Sequence, residues 1–132
     1  MYVFKEEYRT GIESIDTEHR KLFEIADRVY DILMDEFIPD KYDYIVDILN
    51  ELKDYAVYHF TNEEEYMAGI GYKKLFSHKV EHHDFIEKLN EYDLNTIDEN
   101  QKEVIIGLLD FLSSWLVDHI MKNDKLIGTV EN

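Results

Sequence analysis

Pro39 is the only proline in this sequence, and five glycines are the only other strong breakers. A chain so poor in both residues contains long stretches that nothing interrupts, and such stretches read as helix. The apolar pattern agrees. Segment A, from about Asp16 to Phe37, carries Leu22, Phe23, Ala26, Val29, Tyr30 and Leu33 at helical spacing. "FIPDKYD" breaks it. Segment B, from about Asp40 to Ala68, places Ile45, Ile48, Leu49, Leu52, Ala56 and Phe60 on one stripe, and "AGIGY" supplies the glycines that end it. Segment C, from about Tyr72 to Tyr92, turns Leu75, Phe85, Ile86 and Leu89 inward. "DLNTIDEN" follows, where Asp98 with Gln101 three residues on resembles a capping box. Segment D, from about Glu99 to Ile120, is striped by Val104, Ile105, Leu108, Leu112, Trp115 and Leu116. Four helices on short loops favour an all-α, antiparallel up-down-up-down four-helix bundle, a single domain over residues 1–132.

Charge narrows the partners. Fourteen basic against 30 acidic residues give a formal net charge of −16, which disfavours nucleic acid and anionic membrane surfaces. The aromatic residues are therefore expected in the bundle core. With no cysteine, disulfides, thiolate metal sites and cysteine nucleophiles are excluded. The start, "MYVFKEEYRTG", does not read as a secretory signal, and no uninterrupted run of ~18 apolar residues suggests a membrane span. A cytoplasmic location is expected, and the sequence leaves the oligomeric state open, a monomer included.

Histidines fall on the core stripes. His19 precedes Leu22 and Phe23 on A, and His59 follows Leu52 and Ala56 on B. His78 and His82 lie between Leu75 and Ile86 on C, and His119 follows Leu112 and Trp115 on D. Glu63, one turn beyond His59, faces inward too. These positions alternate between helix starts and helix ends, so an antiparallel bundle brings them to one end. One inward histidine is commonly a satisfied core residue. Five at one depth, with a carboxylate that needs a cation or strong hydrogen bonds, point to metal. His83 lies about 100° round the helix from His82, beside Lys79 and Glu87, and reads as a solvated surface residue.

Imidazole and carboxylate donors without sulfur suit iron, zinc or manganese. Six or more are too many for one tetrahedral zinc, whereas a two-metal site with bridging carboxylates uses them all. "HKVEH" has Lys79 where a zincin needs its glutamate, and no histidine has a glutamate three residues before it, as ferritin-like di-iron sites require.

Four stretches in order carry a family resemblance: "GIESIDTEHRKLF" with His19, "HFTNEEEYM" with His59 and Glu63, "HKVEH" with His78 and His82, and "WLVDHIMKND" with His119 and Asp124. From Phe4 to about Asp124 the chain resembles the hemerythrin family, and within it the single-domain bacteriohemerythrins. Phe4 stands where many members have Trp, and Lys73 follows Tyr72 where many have Pro. The resemblance implies two iron ions with a bridging oxo or hydroxo group. His78, His82 and His119 would bind one iron, His19 and His59 the other, and Glu63 and Asp124 would bridge them. That count leaves one position open, on the iron with two histidines, where the family binds dioxygen reversibly. Leu22, Phe60, Trp115, Leu116 and Ile120 would wall the opening. The resemblance thus implies dioxygen as ligand, for storage, delivery or scavenging, and no catalytic residues. The alternative on the same scaffold is a di-iron enzyme, or an iron-handling or sensing protein, acting on peroxide or nitric oxide. Asp124 sets a condition. Five residues after His119, it lies about 140° away on a continuous α-helix, so D must break there for both to face one metal pair.

Overall fold

The computed structural model describes residues 3–92 and 94–129, leaving aside the side chains of residues 94 and 95. The expected domain span of 1–132 thus runs past the described residues at both ends. In chain order, α1 (Glu13–Met34), α2 (Tyr42–Gly69) and α3 (Leu75–Asn90) are followed by the single turn α4 (Leu94–Ile97) and by α5 (Gln101–His119). The four long helices form an all-α antiparallel bundle, in which α1 packs on α2 and α5, and α2 packs on α3. No strand occurs among the described residues.

Local chemistry sets the boundaries. Helix α1 starts three residues before the stripe predicts, and Asp16 in its first turn anchors the chain that enters it. Its buried carboxylate accepts the Thr10 N–H and hydroxyl at 2.8 Å each and the Gly11 N–H at 3.2 Å, which ties down the incoming chain. The helix stops at Met34, earlier than Phe37. There the Asp35 carboxylate accepts the Phe37 N–H at 2.9 Å, and Phe37 is left almost wholly in solvent. Helix α2 closes as the glycines predict: the Tyr72 N–H reaches the Met67 carbonyl, the Gly71 N–H reaches Ala68, and Gly71 adopts φ 66°. That pair of bonds needs a residue in the left-handed region, which glycine enters without steric cost.

The expected capping box is not formed. Helix α5 begins at Gln101 itself, so this residue is too early to reach back as a box partner. Its side chain instead donates to the carboxylates of Asp98 and Asp40, at 3.1 and 3.0 Å. It also accepts the Lys41 N–H at 2.6 Å, stitching the start of α5 to the start of α2.

Ile25, Leu49, Leu52, Leu89, Leu108 and Leu112 fill the central core. A smaller cluster of Tyr8, Phe23 and Ile120, with Phe4 and Val117 against it, closes the end where the chain enters. There Phe4 meets Tyr8 and Phe23 edge-on.

Segment D does not break after His119. It widens into a π-turn, Ile120–Asp124, and continues as the short helix α6 (Lys125–Ile127). The Lys125 N–H bonds the Ile120 carbonyl, five residues back. The sequence pattern locates the irregularity correctly and misjudges its kind. Gln101–Ile127 is also long and apolar enough, by length and composition, to cross a membrane, contrary to the sequence expectation. The interruptions that hide this in the sequence are few. In the structure its inner side is core, through Ile105, Leu108, Leu112 and Leu116, and carries His119 and Asp124.

Candidate metal centre

Alternating helix directions bring the start of α1, the end of α2, the start of α3 and the end of α5 to one level. His19, His59, Glu63, His78, His82, His119 and Asp124 meet there, all buried. Their donor atoms form two overlapping groups, each with all atoms within 4.8 Å of one another. One holds His78, His82 and His119, the other His19 and His59, and Glu63 and Asp124 belong to both.

The two carboxylates divide their oxygens between the groups. Glu63 Oε1 lies 3.2 Å from His82 Nε2, 3.7 Å from His78 Nδ1 and 3.9 Å from His119 Nε2. Its Oε2 lies 3.3 Å from His59 Nε2 and 3.5 Å from His19 Nε2. Asp124 repeats the division, with Oδ1 at 3.0 Å from His119 and 3.5 Å from His78, and Oδ2 at 3.0 Å from His19. The π-turn makes this possible. Closing at i→i+5 stacks the fifth residue over the first, so Asp124 rises above His119 rather than pointing round the helix.

Glu63 is fully buried, yet neither of its oxygens has a hydrogen-bond partner. Both nitrogens of His19 and of His78, and Asp124 Oδ1, lack one too. Seven buried polar atoms without partners would be costly for a bundle core. Cations between the two carboxylates and the imidazoles would satisfy them together.

Electrostatics in the metal-free protein point the same way. Burial raises the Glu63 pKa, but the surrounding imidazoles of His119, His19, His59 and His78 outweigh it and hold the carboxyl well below its usual range. Burial lowers the His119 pKa, and Asp124 and Glu63 reverse this, pushing it up to about 10. Likewise Glu18 and Glu63 overcome burial to carry His59 up to about 9.

Residues 10–130 match the family profile described as the hemerythrin HHE cation binding domain. The chain belongs to the hemerythrin family. It is 51% identical to the bacteriohemerythrin of Clostridium acetobutylicum over 125 residues, 95% of this chain and 97% of that one. It is 28% identical to myohemerythrin-1 of Phascolopsis gouldii, over 93% and 88% of the two chains. A crystal structure of wild-type hemerythrin superposes with a TM-score of 0.77 at 28% identity, covering 98% of this chain and 95% of that one.

In this hemerythrin-family chain, further carboxylates stand behind the histidines. Glu18 Oε1 is 2.7 Å from His59 Nδ1, and Glu64 Oε2 is 2.8 Å from His82 Nδ1. Glu81 Oε2 is 2.8 Å from His119 Nδ1, though off the line of a hydrogen bond. Asn62 and Asn123 hold Glu18 and Glu81 in turn, each at 2.9 Å. Such partners fix ring orientation and leave Nε2 free to face inward. Sequence reasoning missed all three. Each is one residue from an inward donor or ring, and only that adjacency could have flagged them.

The apolar wall residues divide. Leu22, Phe60 and Leu116 belong to the main core, and Ile120 packs with Tyr8 and Phe23. Phe60 stacks on His82, with centroids 4.0 Å apart and planes within 5°. Trp115 is half-buried and stacks on His119 at 4.3 Å, so it flanks the three-histidine group. His83 is 71% exposed and pairs loosely with Glu87 at 3.8 Å.

Facing decides the first expected outcome. His82→Ala should severely lower bound metal, whereas His83→Ala should leave it near the parent value. Metal analysis of both purified variants checks this, and equal loss would mean that α3 is wrongly oriented.

The second concerns pH. His59 and His119 titrate above the unfolded value of 6.5, so their contribution to the stability of the metal-free protein is complete below about 6.5. It is lost as pH rises through about 9 to 10. Glu63 acts oppositely: its contribution is present above 4.5 and lost as pH falls through its lowered pKa. The Tm of chelated protein should therefore decline from pH 6.5 to 10. Metal-loaded protein, whose imidazoles must be neutral, should lose that decline and release metal on acidification. A chelated Tm rising across the alkaline range would contradict the assignment.

Proposed function

We propose that this chain binds dioxygen reversibly at a pair of irons held by His78, His82 and His119 on one side and by His19 and His59 on the other. Glu63 and Asp124 would be shared between the two, alongside a solvent-derived oxo or hydroxo bridge. The observation that carries the reading is the division of oxygens: each carboxylate turns one oxygen to each histidine group. When bound, two irons supply the electrons with which dioxygen is held and given back. The names of the relatives, bacteriohemerythrin and myohemerythrin, support the same chemistry.

The protein's own part is positional and protective. Glu18, Glu64 and Glu81 orient the rings that face the metals. Leu22, Phe60, Leu116 and Ile120 line the buried surroundings with hydrocarbon, which keeps out the water and acids that would end reversibility. The buried carboxyls are all committed, Glu63 and Asp124 to the metals in this reading, Asp16 to Thr10 and Glu18 to His59, which favours binding over turnover. We place this activity in the cytoplasm, where reductant is at hand to keep the irons ferrous.

The reduced protein should be colourless, gain charge-transfer absorption on exposure to oxygen, and lose it under vacuum. Sustained oxygen consumption, with peroxide or water released, would instead establish a di-iron enzyme.

Leu116 gives a sharper outcome. It is 2% exposed and lies one turn before His119. Leu116→Ala should cost about 2–5 kcal/mol of stability. It should retain its iron, because no donor changes, and should speed the decay of the oxygenated form. An unchanged decay rate at full iron loading would show that Leu116 does not guard the centre.

A further inference from the structure

We infer that Trp115 is the point at which electrons from donors in solution enter the metal centre, through its stack on His119. The inference rests on the metal-centre reading above and deepens it, by naming how the irons regain the ferrous state. Decay of the oxygenated form would leave both irons ferric, and only ferrous irons can hold dioxygen again. All seven donor residues are buried, so a donor in solution has no direct contact with the metals they would hold.

Among the described residues, the rings other than histidine that touch the imidazoles of the centre are Phe60, Tyr72 and Trp115. Phe60 stacks on His82 but is buried. Tyr72 is half-buried but meets His78 edge-on, with centroids 5.7 Å apart and planes at 80°. Trp115 combines a stack with access. Its plane lies within 14° of the His119 ring, with centroids 4.3 Å apart, and it lines the open cleft of about 610 Å³ between α3 and α5.

The imidazole then completes the path. His119 Nδ1 is turned to Glu81 at 2.8 Å, and Nε2, on the other side of the ring, lies 3.0 Å from Asp124 Oδ1 within the three-histidine group. Trp115 also lies 5.7 Å from Phe60, which carries the contact on to His82. One half-buried ring is thus connected to two of the three histidines of that group. Near-parallel rings at this separation are in van der Waals contact. The indole is not itself reduced. It shortens the gap that an electron must tunnel across.

The test uses iron-loaded protein in the diferric state, without oxygen, mixed with the methyl viologen radical cation, a small outer-sphere donor of one electron. Two donors each lose one electron, each ferric ion gains one, and a proton from water turns an oxo bridge into hydroxo. Loss of ferric absorption gives the rate per loaded centre. Trp115→Leu should slow it several-fold at an unchanged midpoint potential. Trp115→Phe, which keeps a ring on His119, should recover most of the rate, and Tyr72→Leu should match the parent. Equal rates in the parent and Trp115→Leu, or equal slowing in Tyr72→Leu, would overturn the route. A second readout needs no iron. Trp115 is the sole tryptophan, and a stacked imidazole quenches indole emission, so metal-free His119→Leu should be brighter than the metal-free parent. Unchanged emission would overturn the contact on which the route depends. A parent protein that loads no iron would overturn the metal-centre reading itself, and the route with it.

Discussion

A fully buried carboxylate without a hydrogen-bond donor is the constraint on which this structure turns. Glu63 sits at the level where all four long helices meet, with its two oxygens aimed at different histidine groups. In a bundle of hydrocarbon that position is unfavourable unless positive charge occupies the space between. Protonated imidazoles fill this role in the metal-free protein, which is why His59 and His119 hold their protons so tightly. Metal ions would fill it better, since they would satisfy the imidazole nitrogens and the carboxylate oxygens at once. The same atoms would thus couple the stability of this end of the bundle to metal binding.

Helix direction and one backbone irregularity deliver the donors. Antiparallel order makes starts and ends of helices neighbours, so residues as far apart in sequence as His19 and His119 converge. The α-helical period supplies five of the seven as ordinary core-stripe positions and Glu63 as a sixth. Asp124 needs the π-turn, because regular geometry would carry it to another face. Asp16 and Gln101 secure the framework at opposite ends, one holding the incoming chain against α1, the other stitching α5 to α2.

The fold and the inward histidines were legible because they rest on periodicity, which a sequence displays directly. Gly71 was legible for the same kind of reason, as a backbone position that favours glycine. Gln101 was misread because a capping box depends on where the helix starts to within one residue, and the apolar stripe does not fix that. Glu18, Glu64 and Glu81 were hidden by abundance: among 30 acidic residues, three that turn toward histidines have no contrast with those facing water. The π-turn was half-legible. The pattern showed that the regular stripe ends at His119, and only backbone hydrogen bonding distinguishes a widened turn from a break.

Two metal ions would share Glu63 and Asp124 in the loaded protein. X-ray absorption at the iron edge of the reduced, loaded protein tests this most directly, because a metal–metal scattering shell arises only from a close pair. That shell, together with imidazole and carboxylate scattering, is the predicted result, at an iron content approaching two per chain. Its disappearance in Glu63→Ala would follow from the loss of a shared ligand. An iron spectrum with no metal–metal shell, at one ion per chain, would contradict the shared-carboxylate centre.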